Sequence, residues 1–218
     1  VLFDLDGTLI DSVYQHVVAW HEALLSYGVN LPVWRIHRRI GMSGGLFVAA
    51  LARETEREID EAAAATLARL HSEALERLRD SIRPLPGSSE LLAHLSATGV
   101  PWAIATSGQR LNAEPALGLL GVPDAVLVTR DEVRRAKPDP DLFLAAAAKL
   151  NTPAERCLVV GDSVWDLLAA RRAGSLGLGV LTGGYGRDEL ERAGAYRVYE
   201  DIADLFEHLD EVGLRQSG

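Results

Sequence analysis

At 218 residues, with 31 acidic against 22 basic side chains and a formal charge of −9, the chain is too acidic for a general binder of nucleic-acid backbones, which presents a basic face. Anionic small molecules stay open, because one local cation can dominate a site. The length fits one sizeable core, or a core with a smaller attached domain. The single cysteine, Cys157, excludes an internal disulfide; in the strand-like run Arg156-Cys157-Leu158-Val159-Val160 it reads as a packed thiol. No apolar run approaches the ~20 residues that span a bilayer, so no membrane partner is expected. The chain begins at Val1 rather than Met, so a few residues before it are expected.

The short apolar run Val1-Leu2-Phe3 predicts a strand that leads into Asp4, Asp6 and a Gly-Thr turn. On a strand, positions 4 and 6 share a face. Two carboxylates would then crowd at its carboxyl end and raise each other's pKa unless a cation or donors compensate. Taken alone, this is either a site or a solvated acidic turn. Val13, Val17, Trp20, Leu24 and Tyr27 recur at spacings of three and four and predict an amphipathic helix ended by Gly28. Pro32 opens a second helical piece toward Ile40, and Gly41 to Gly45 breaks it. Leu46 to Ala52 reads as helix, and Leu67, Leu70, Ala74 and Leu78 mark a longer one. Arg83-Pro84-Leu85-Pro86-Gly87 ends the pattern. Residues 11–83 thus form an all-helical insertion, near the lower end of domain size.

From Ser88 the rhythm changes. Helices are expected at Ser88 to Ala97 (with Ser88 or Ser89 as cap), Leu111 to Leu120, Asp139 to Leu150, Val164 to Ala173, Glu189 to Ala193 and Ile202 to Leu209, the last capped by Asp201. Strands are expected at Trp102 to Ala105, Ala125 to Val128, Cys157 to Val160, Leu176 to Leu181 and Tyr196 to Tyr199. This alternation implies a mostly parallel sheet covered on both faces.

Ligands of open α/β sheets bind outside the carboxyl ends of the strands. The strand at Val1 ends in Asp4 and Asp6, the one at Trp102 in Thr106 and Ser107, and the one at Cys157 in Asp162, with Asp166 four residues on. Lys137 stands just before the helix that follows the strand at Ala125. Each residue has an ordinary reading: Lys137 as a surface lysine, Thr106 as a turn residue, Asp166 as a first-turn helix stabiliser. Their joint placement at four strand ends favours a site. Carboxylates with few neutral donors suit a hard divalent cation such as Mg²⁺. Asp162 and Asp166, at i and i+4 on the first turns of a helix, can face one ion. Lys137, Thr106 and the N–H groups after Thr106 would supply donors for a phosphate.

These residues resemble the motifs of the haloacid dehalogenase superfamily of phosphatases. Asp4-Leu5-Asp6-Gly7-Thr8-Leu9 is similar to its first motif, Ala105-Thr106-Ser107-Gly108 to its second, Lys137-Pro138-Asp139-Pro140 to its third, and Gly161-Asp162-Ser163-Val164-Trp165-Asp166 to its fourth. The helical insertion resembles the cap of the subgroup that holds phosphoglycolate phosphatases and β-phosphoglucomutases. The resemblance implies an α/β fold. It would be a doubly wound, mostly parallel Rossmann-like sheet, with residues 1–10 and 84–218 as catalytic core and 11–83 as a small all-helical cap domain inserted after the first strand. It implies that Asp4 attacks phosphorus and becomes an aspartyl-phosphate. Asp6 protonates the leaving oxygen and later deprotonates water. Mg²⁺ is held by Asp4, the backbone carbonyl of Asp6 and Asp162, with Asp166 in support. Thr106, Ser107 and Lys137 bind the phosphate. Asp6 would need a pKa raised by Asp4 and partial desolvation. The dehalogenases of the family lack an acid at that position, so its presence favours phosphoryl transfer. The expected enzyme is a cytoplasmic phosphatase, monomeric or homodimeric, acting on a small phosphorylated metabolite.

Candidates for reading the leaving group are His16, Trp20, Arg35, His37, Arg38, Arg39 and Ser43. Packing is the default role for Trp20. His16 and the pair Ala19-Trp20 are similar to a stretch of β-phosphoglucomutase. The arginine which that enzyme uses for a second phosphate is Gly44 here, with Arg38 or Arg39 as replacements, and Gln109-Arg110 departs from its pattern. A sugar phosphomutase is therefore the second reading. A catalytically silent binding module is the third.

Overall fold

The computed structural model describes residues 1–42, 44–55 and 59–214. The first strand, β1 (Leu2–Phe3), is followed by β2 (Ile10–Asp11) and four helices: α1 (Val13–Ser26), α2 (Val33–His37), α3 (Gly44–Thr55) and α4 (Glu61–Leu78). Strand β3 (Arg83–Pro84) leads back to the alternating part. That part runs α5 (Ser88–Ala97), β4 (Ala103–Ala105), α6 (Arg110–Leu119), β5 (Leu127–Val128), α7 (Asp141–Lys149), β6 (Leu158–Gly161), α8 (Val164–Ala173), β7 (Leu176–Val180), α9 (Arg187–Ala193), β8 (Ala195–Tyr199) and α10 (Ile202–Glu207).

Among the described residues, six strands form one sheet in the order β5-β4-β1-β6-β7-β8, and every neighbouring pair is parallel. Strand β1 lies in the middle, with Leu2 opposite Ala103 and Val159 and Phe3 opposite Ile104 and Val160. Side chains alternate between faces, as the pleat requires. Phe3, Ile104 and Val160 join an apolar cluster with α5, α6 and α10. Leu2, Ala103 and Val159 join another with α7 and α8. Both faces are therefore covered, which explains why these strands read as continuous apolar runs. After β1 the chain builds outward through β4 and β5, then crosses back to β6 on the other side. Asp4 thus sits where the strand order reverses, the position where such sheets bind ligands.

Helices α1 to α4 have a cluster of their own, built on Val17, Leu24, Ile36, Phe47, Leu51 and Leu67. The two crossings between this group and the sheet run side by side as a short antiparallel ribbon, with Ile10 opposite Pro84 and Asp11 opposite Arg83. Leu85 N–H adds a bond to Leu9 C=O at 2.9 Å. Two-residue strands carry no periodicity, so the sequence showed only a break there.

Several boundaries differ from the sequence expectations. Helix α2 stops at His37 rather than Ile40. Helix α4, whose start the sequence left open, begins at Glu61, capped by Asp60, which accepts the Ala63 N–H at 2.8 Å. Helix α5 is not capped by Ser88 or Ser89: the N-cap is Gly87, in the left-handed region at φ 78°. Asp201 does cap α10, accepting from Asp204 N–H at 2.9 Å. No helix among the described residues is long and apolar enough to cross a membrane.

Gly87 combines two constraints. Its φ is one that side chains rarely adopt, and a Cβ there would lie 2.6 Å from Ala203 Cα in α10. Gly87→Ala is expected to destabilise the fold by about 1–3 kcal/mol, lowering the midpoint of thermal unfolding by roughly 2–4 °C per kcal/mol for a chain of this size. A melting curve that overlays the wild type would show that this junction yields freely.

Candidate active site

Four chain segments deliver polar side chains to the carboxyl edge of the sheet. Asp4 follows β1, and its N–H is fixed by Val160 C=O at 2.9 Å. Thr106 follows β4, and its N–H bonds Val128 C=O at 3.0 Å. Lys137 lies between β5 and α7, and Asp162 follows β6. Lys137 is no surface lysine. It is fully buried and forms ion pairs with Asp4 and with Asp166, the latter at 2.8 Å. Asp166 is fully buried as well. Its Oδ2 accepts the N–H and hydroxyl of Ser163 at 3.1 and 2.5 Å, closing the capping box of α8, while Oδ1 faces Lys137. Asp166 is thus both helix stabiliser and partner of Lys137. Asp162 is not on the helix; it precedes the N-cap residue Ser163, and its Oδ1 accepts the Thr8 hydroxyl at 3.0 Å.

Ligand oxygens of Asp4, Asp162 and Asp166 all lie within 4.8 Å of one another. Three buried carboxylates face one lysine, and their titration reflects it. Burial raises the Asp4 carboxyl against the pull of Lys137, and Asp166 and Asp6 push it the same way as burial. Asp162 is raised by burial, then by Asp166 and Asp4. Lys137 is raised: burial works against its charge, but the carboxylates outweigh it. Unshared negative charge in a dry site is costly, so the donor set fits a hard divalent cation. Glycines give the Asp162 carboxylate its room. A Cβ on Gly183 would lie 1.8 Å from Asp162 Oδ2, and one on Gly7 2.6 Å from it.

Asp6 departs from expectation. Burial pushes its carboxyl up, but the His16 imidazole at 3.1 Å, the Ser12 hydroxyl at 2.7 Å and the charge of Lys137 hold it down, at about 2. The expected raised pKa took Asp4 into account and missed His16, which comes from α1. Behind His16 stands His71 of α4, with His16 Nδ1 and His71 Nε2 3.1 Å apart. Burial and the neighbouring His16 lower the His71 pKa to about 3, against a smaller pull from Asp6. On the other side, Thr106 Oγ1 lies 3.4 Å from Asp6 Oδ2 and accepts the Gly108 N–H at 2.9 Å. The Ser107 hydroxyl is buried without a protein partner at the cavity edge.

A cavity of about 260 Å³ opens above these groups, between the sheet edge and helices α1, α3 and α4. Asp4, Asp6, His16, Thr106 and Ser107 line it. The other leaving-group candidates fare differently. Arg38 turns away to Glu189 and lies over the Tyr185 ring, 4.1 Å from its centre. Arg39 lines the cavity, but Glu54 and the Arg35 carbonyl hold its guanidinium. His37 bonds the Gly183 carbonyl at 2.8 Å. Arg35 lies over Trp34 and near Glu54. Ser43 lies outside the described residues. Sequence reasoning missed His71, Phe47, Asn112 and Arg130, all of which line the cavity. For His71 a signal existed: an imidazole on the buried stripe of α4, between Leu67 and Ala74.

Comparison with known proteins follows the same lines. The model of the haloacid dehalogenase-like hydrolase family matches residues 1–174. Hexitol phosphatase A of Escherichia coli is 36% identical over 177 residues, 79% of this chain and 78% of its own. A phosphoglycolate phosphatase of Rhodospirillum rubrum is 31% identical over 227 residues, covering 100% of this chain and 92% of its own. Among solved structures, a hydrolase from Pseudomonas syringae superposes with a TM-score of 0.94 at 54% identity, covering 97% of each chain.

The buried His71 couples stability to pH. The unfolded chain takes up its proton near pH 6.5, while the folded chain does so only near 3. The unfolded state therefore binds more protons between these values, and stability falls as pH drops through this window, by at most ~1.4 kcal/mol per pH unit. In urea unfolding from pH 7 to 5, the wild type should lose stability faster than His71→Leu. Parallel curves would show that His71 titrates alike in both states.

Proposed function

The chain belongs to the haloacid dehalogenase-like hydrolase family, and we propose that it is a cytoplasmic, Mg²⁺-dependent phosphatase that hydrolyses a small phosphomonoester through an aspartyl-phosphate on Asp4. The observation that carries this reading is Lys137, fully buried between Asp4 and Asp166 under a cavity that also holds Asp6. The phosphatases among its relatives support the substrate class.

An Asp4 oxygen attacks phosphorus while the bond to the ester oxygen breaks. The departing alcohol takes a proton from Asp6. In the second step water attacks the acyl phosphate, returns a proton to Asp6 and releases inorganic phosphate, so atoms and charge balance. Asp6 is ionised at rest and takes up one proton from solvent as the substrate binds, because the arriving phosphate dianion and the exclusion of water both favour its protonated form. His16 keeps the carboxyl aimed, and the proton is returned to solvent after phosphate leaves. A carboxylate meeting a phosphate is repelled by roughly 4 kcal/mol per pair of unit charges at ~4 Å, taking an effective dielectric near 20. Lys137 offsets part of this. A Mg²⁺ held by Asp4, the Asp6 carbonyl and Asp162 would supply the remaining positive charge. Asp166, with its oxygens on Ser163 and Lys137, acts behind them as a support. Thr106 and Ser107 are the phosphate donors, and the free Ser107 hydroxyl suits that role. Residues 11–83 serve as the cap, residues 1–10 and 84–218 as the core. The protein works as a monomer or homodimer, without nucleic acid or membrane.

A mutase finds less support, because Arg38 and Arg39 are held by Glu189 and Glu54. The test is phosphate release from a panel of small phosphomonoesters with Mg²⁺, together with Asp4→Asn. That variant keeps size and shape and should lose on the order of a thousandfold or more in kcat, with the circular dichroism spectrum kept. Unchanged turnover would overturn the mechanism.

A further inference from the structure

The cavity is sorted by polarity. Its core wall is polar: Thr106, Ser107, Gln109, Asn112 and Arg130. Its cap wall is mostly apolar, with Trp20, Ile40, Met42, Val48 and Ala68 at the surface and the buried Phe47 behind them; His16, Arg39 and His71 are the polar exceptions. Trp20, Ile40, Met42 and Val48 are only partly buried by the cap's own packing, so each keeps a face for the cavity. The Trp20 indole packs on two rings, with His71 at 4.3 Å and an interplanar angle of 21°, and Phe47 at 4.5 Å and 43°.

Apart from that indole, the polar side chains described on the cap wall are engaged. Arg39 is held by Glu54 and the Arg35 carbonyl. His71 is held by His16, and His16 by both His71 and Asp6. Hydroxyls or a carboxylate pressed against this wall would lose water and gain no partner. A flat apolar group would lose nothing and gain ring contacts. At about 260 Å³, the cavity is near the small end for ligand sites and has room for a phosphate and one ring.

We propose that the substrate is a phosphomonoester of an arylmethyl-type alcohol, its phosphate on the core wall and its ring against Trp20 and Met42. The inference rests on the phosphatase reading and adds the leaving group. The chemistry is unchanged: the P–O bond to the alcohol breaks, the alcohol leaves with a proton, and water ends on phosphorus.

The test compares benzyl phosphate with sorbitol 6-phosphate and phosphoglycolate, all esters of primary alcohols, using the whole chain with Mg²⁺. Acetyl phosphate, too small to reach the cap wall, gauges the core chemistry. Benzyl phosphate should lead in kcat/KM by roughly tenfold or more. Trp20→Ala should lower the benzyl-to-acetyl ratio of kcat/KM by about fivefold, chiefly through KM. Val48→Asn, a milder change at a half-buried position, should lower it in the same direction. A lead for sorbitol 6-phosphate or phosphoglycolate, or a ratio unmoved by both variants, would overturn the inference while leaving the phosphatase reading intact. Silence on every compound, the acyl phosphate included, would overturn the phosphatase reading. In that case tighter calorimetric binding of benzylphosphonate than of 2-hydroxyethylphosphonate still supports the ring pocket, and equal or reversed affinities overturn it.

Discussion

Three carboxylates and one lysine buried at the end of a parallel sheet set the terms for the rest of this molecule. Such a group is unfavourable on its own account, since each charge has given up water. It persists because the surroundings over-determine it. Lys137 meets two of the carboxylates, Thr8 donates to the third, and Ser163 donates twice to Asp166. The strand order supplies the place: β1 has neighbours on both sides, so the residue after Phe3 is forced into the interior. The backbone supplies the room, through glycines at 7 and 183 that let the Asp162 carboxylate lie against the main chain. A cluster that costs stability and is still so closely supported marks a site whose function needs the charge.

Asp6 is the point where the helical group meets the carboxylate cluster. Asp4 is held entirely by the sheet's own elements, whereas Asp6 is held by Ser12 and by His16 of α1, with His71 of α4 behind. The charge state of the second carboxylate therefore depends on how the helices sit. Elsewhere the helices touch the sheet mainly through polar contacts: Arg38 with Glu189, Tyr185 with the Arg38 carbonyl, His37 with the Gly183 carbonyl. Apolar contact is concentrated near the ribbon, where Ala19, Ala74 and Leu75 join the sheet's cluster. Of the polar contacts, the half-exposed Arg38–Glu189 pair contributes little to stability, whereas Tyr185 is buried.

Much of this was legible in the sequence because it rests on local rules. Alternating strands and helices imply the sheet, and the rule that ligands sit at strand ends brings Asp4, Thr106, Lys137 and Asp162 together from the sequence alone. What escaped depends on tertiary packing. Asp166 serves Ser163 and Lys137 at once, and spacing cannot tell which use it has. The pKa of Asp6 was misjudged because its deciding neighbour belongs to a different element. The antiparallel ribbon was too short to carry a pattern. Arginines 38 and 39 looked like substrate ligands because an arginine in a cap loop has many possible partners. Only the fold shows that Glu189 and Glu54 take them.

The same pairing shifts the question of specificity. With Arg38 and Arg39 paired to glutamates, and His16 and His71 engaged with each other and with Asp6, the rest of the cap's contribution to the cavity is Trp20, Met42 and their apolar neighbours. On the phosphatase reading proposed above, the carboxylates, the lysine and the hydroxyls after β4 would meet only the group being transferred, and discrimination would come from the wall that meets the leaving group. Phosphatases with the same core can therefore act on different alcohols, because the wall can change without disturbing the ion cluster beneath it. In this chain that wall is mainly apolar, and on the proposal above it would select by shape and desolvation rather than by charge.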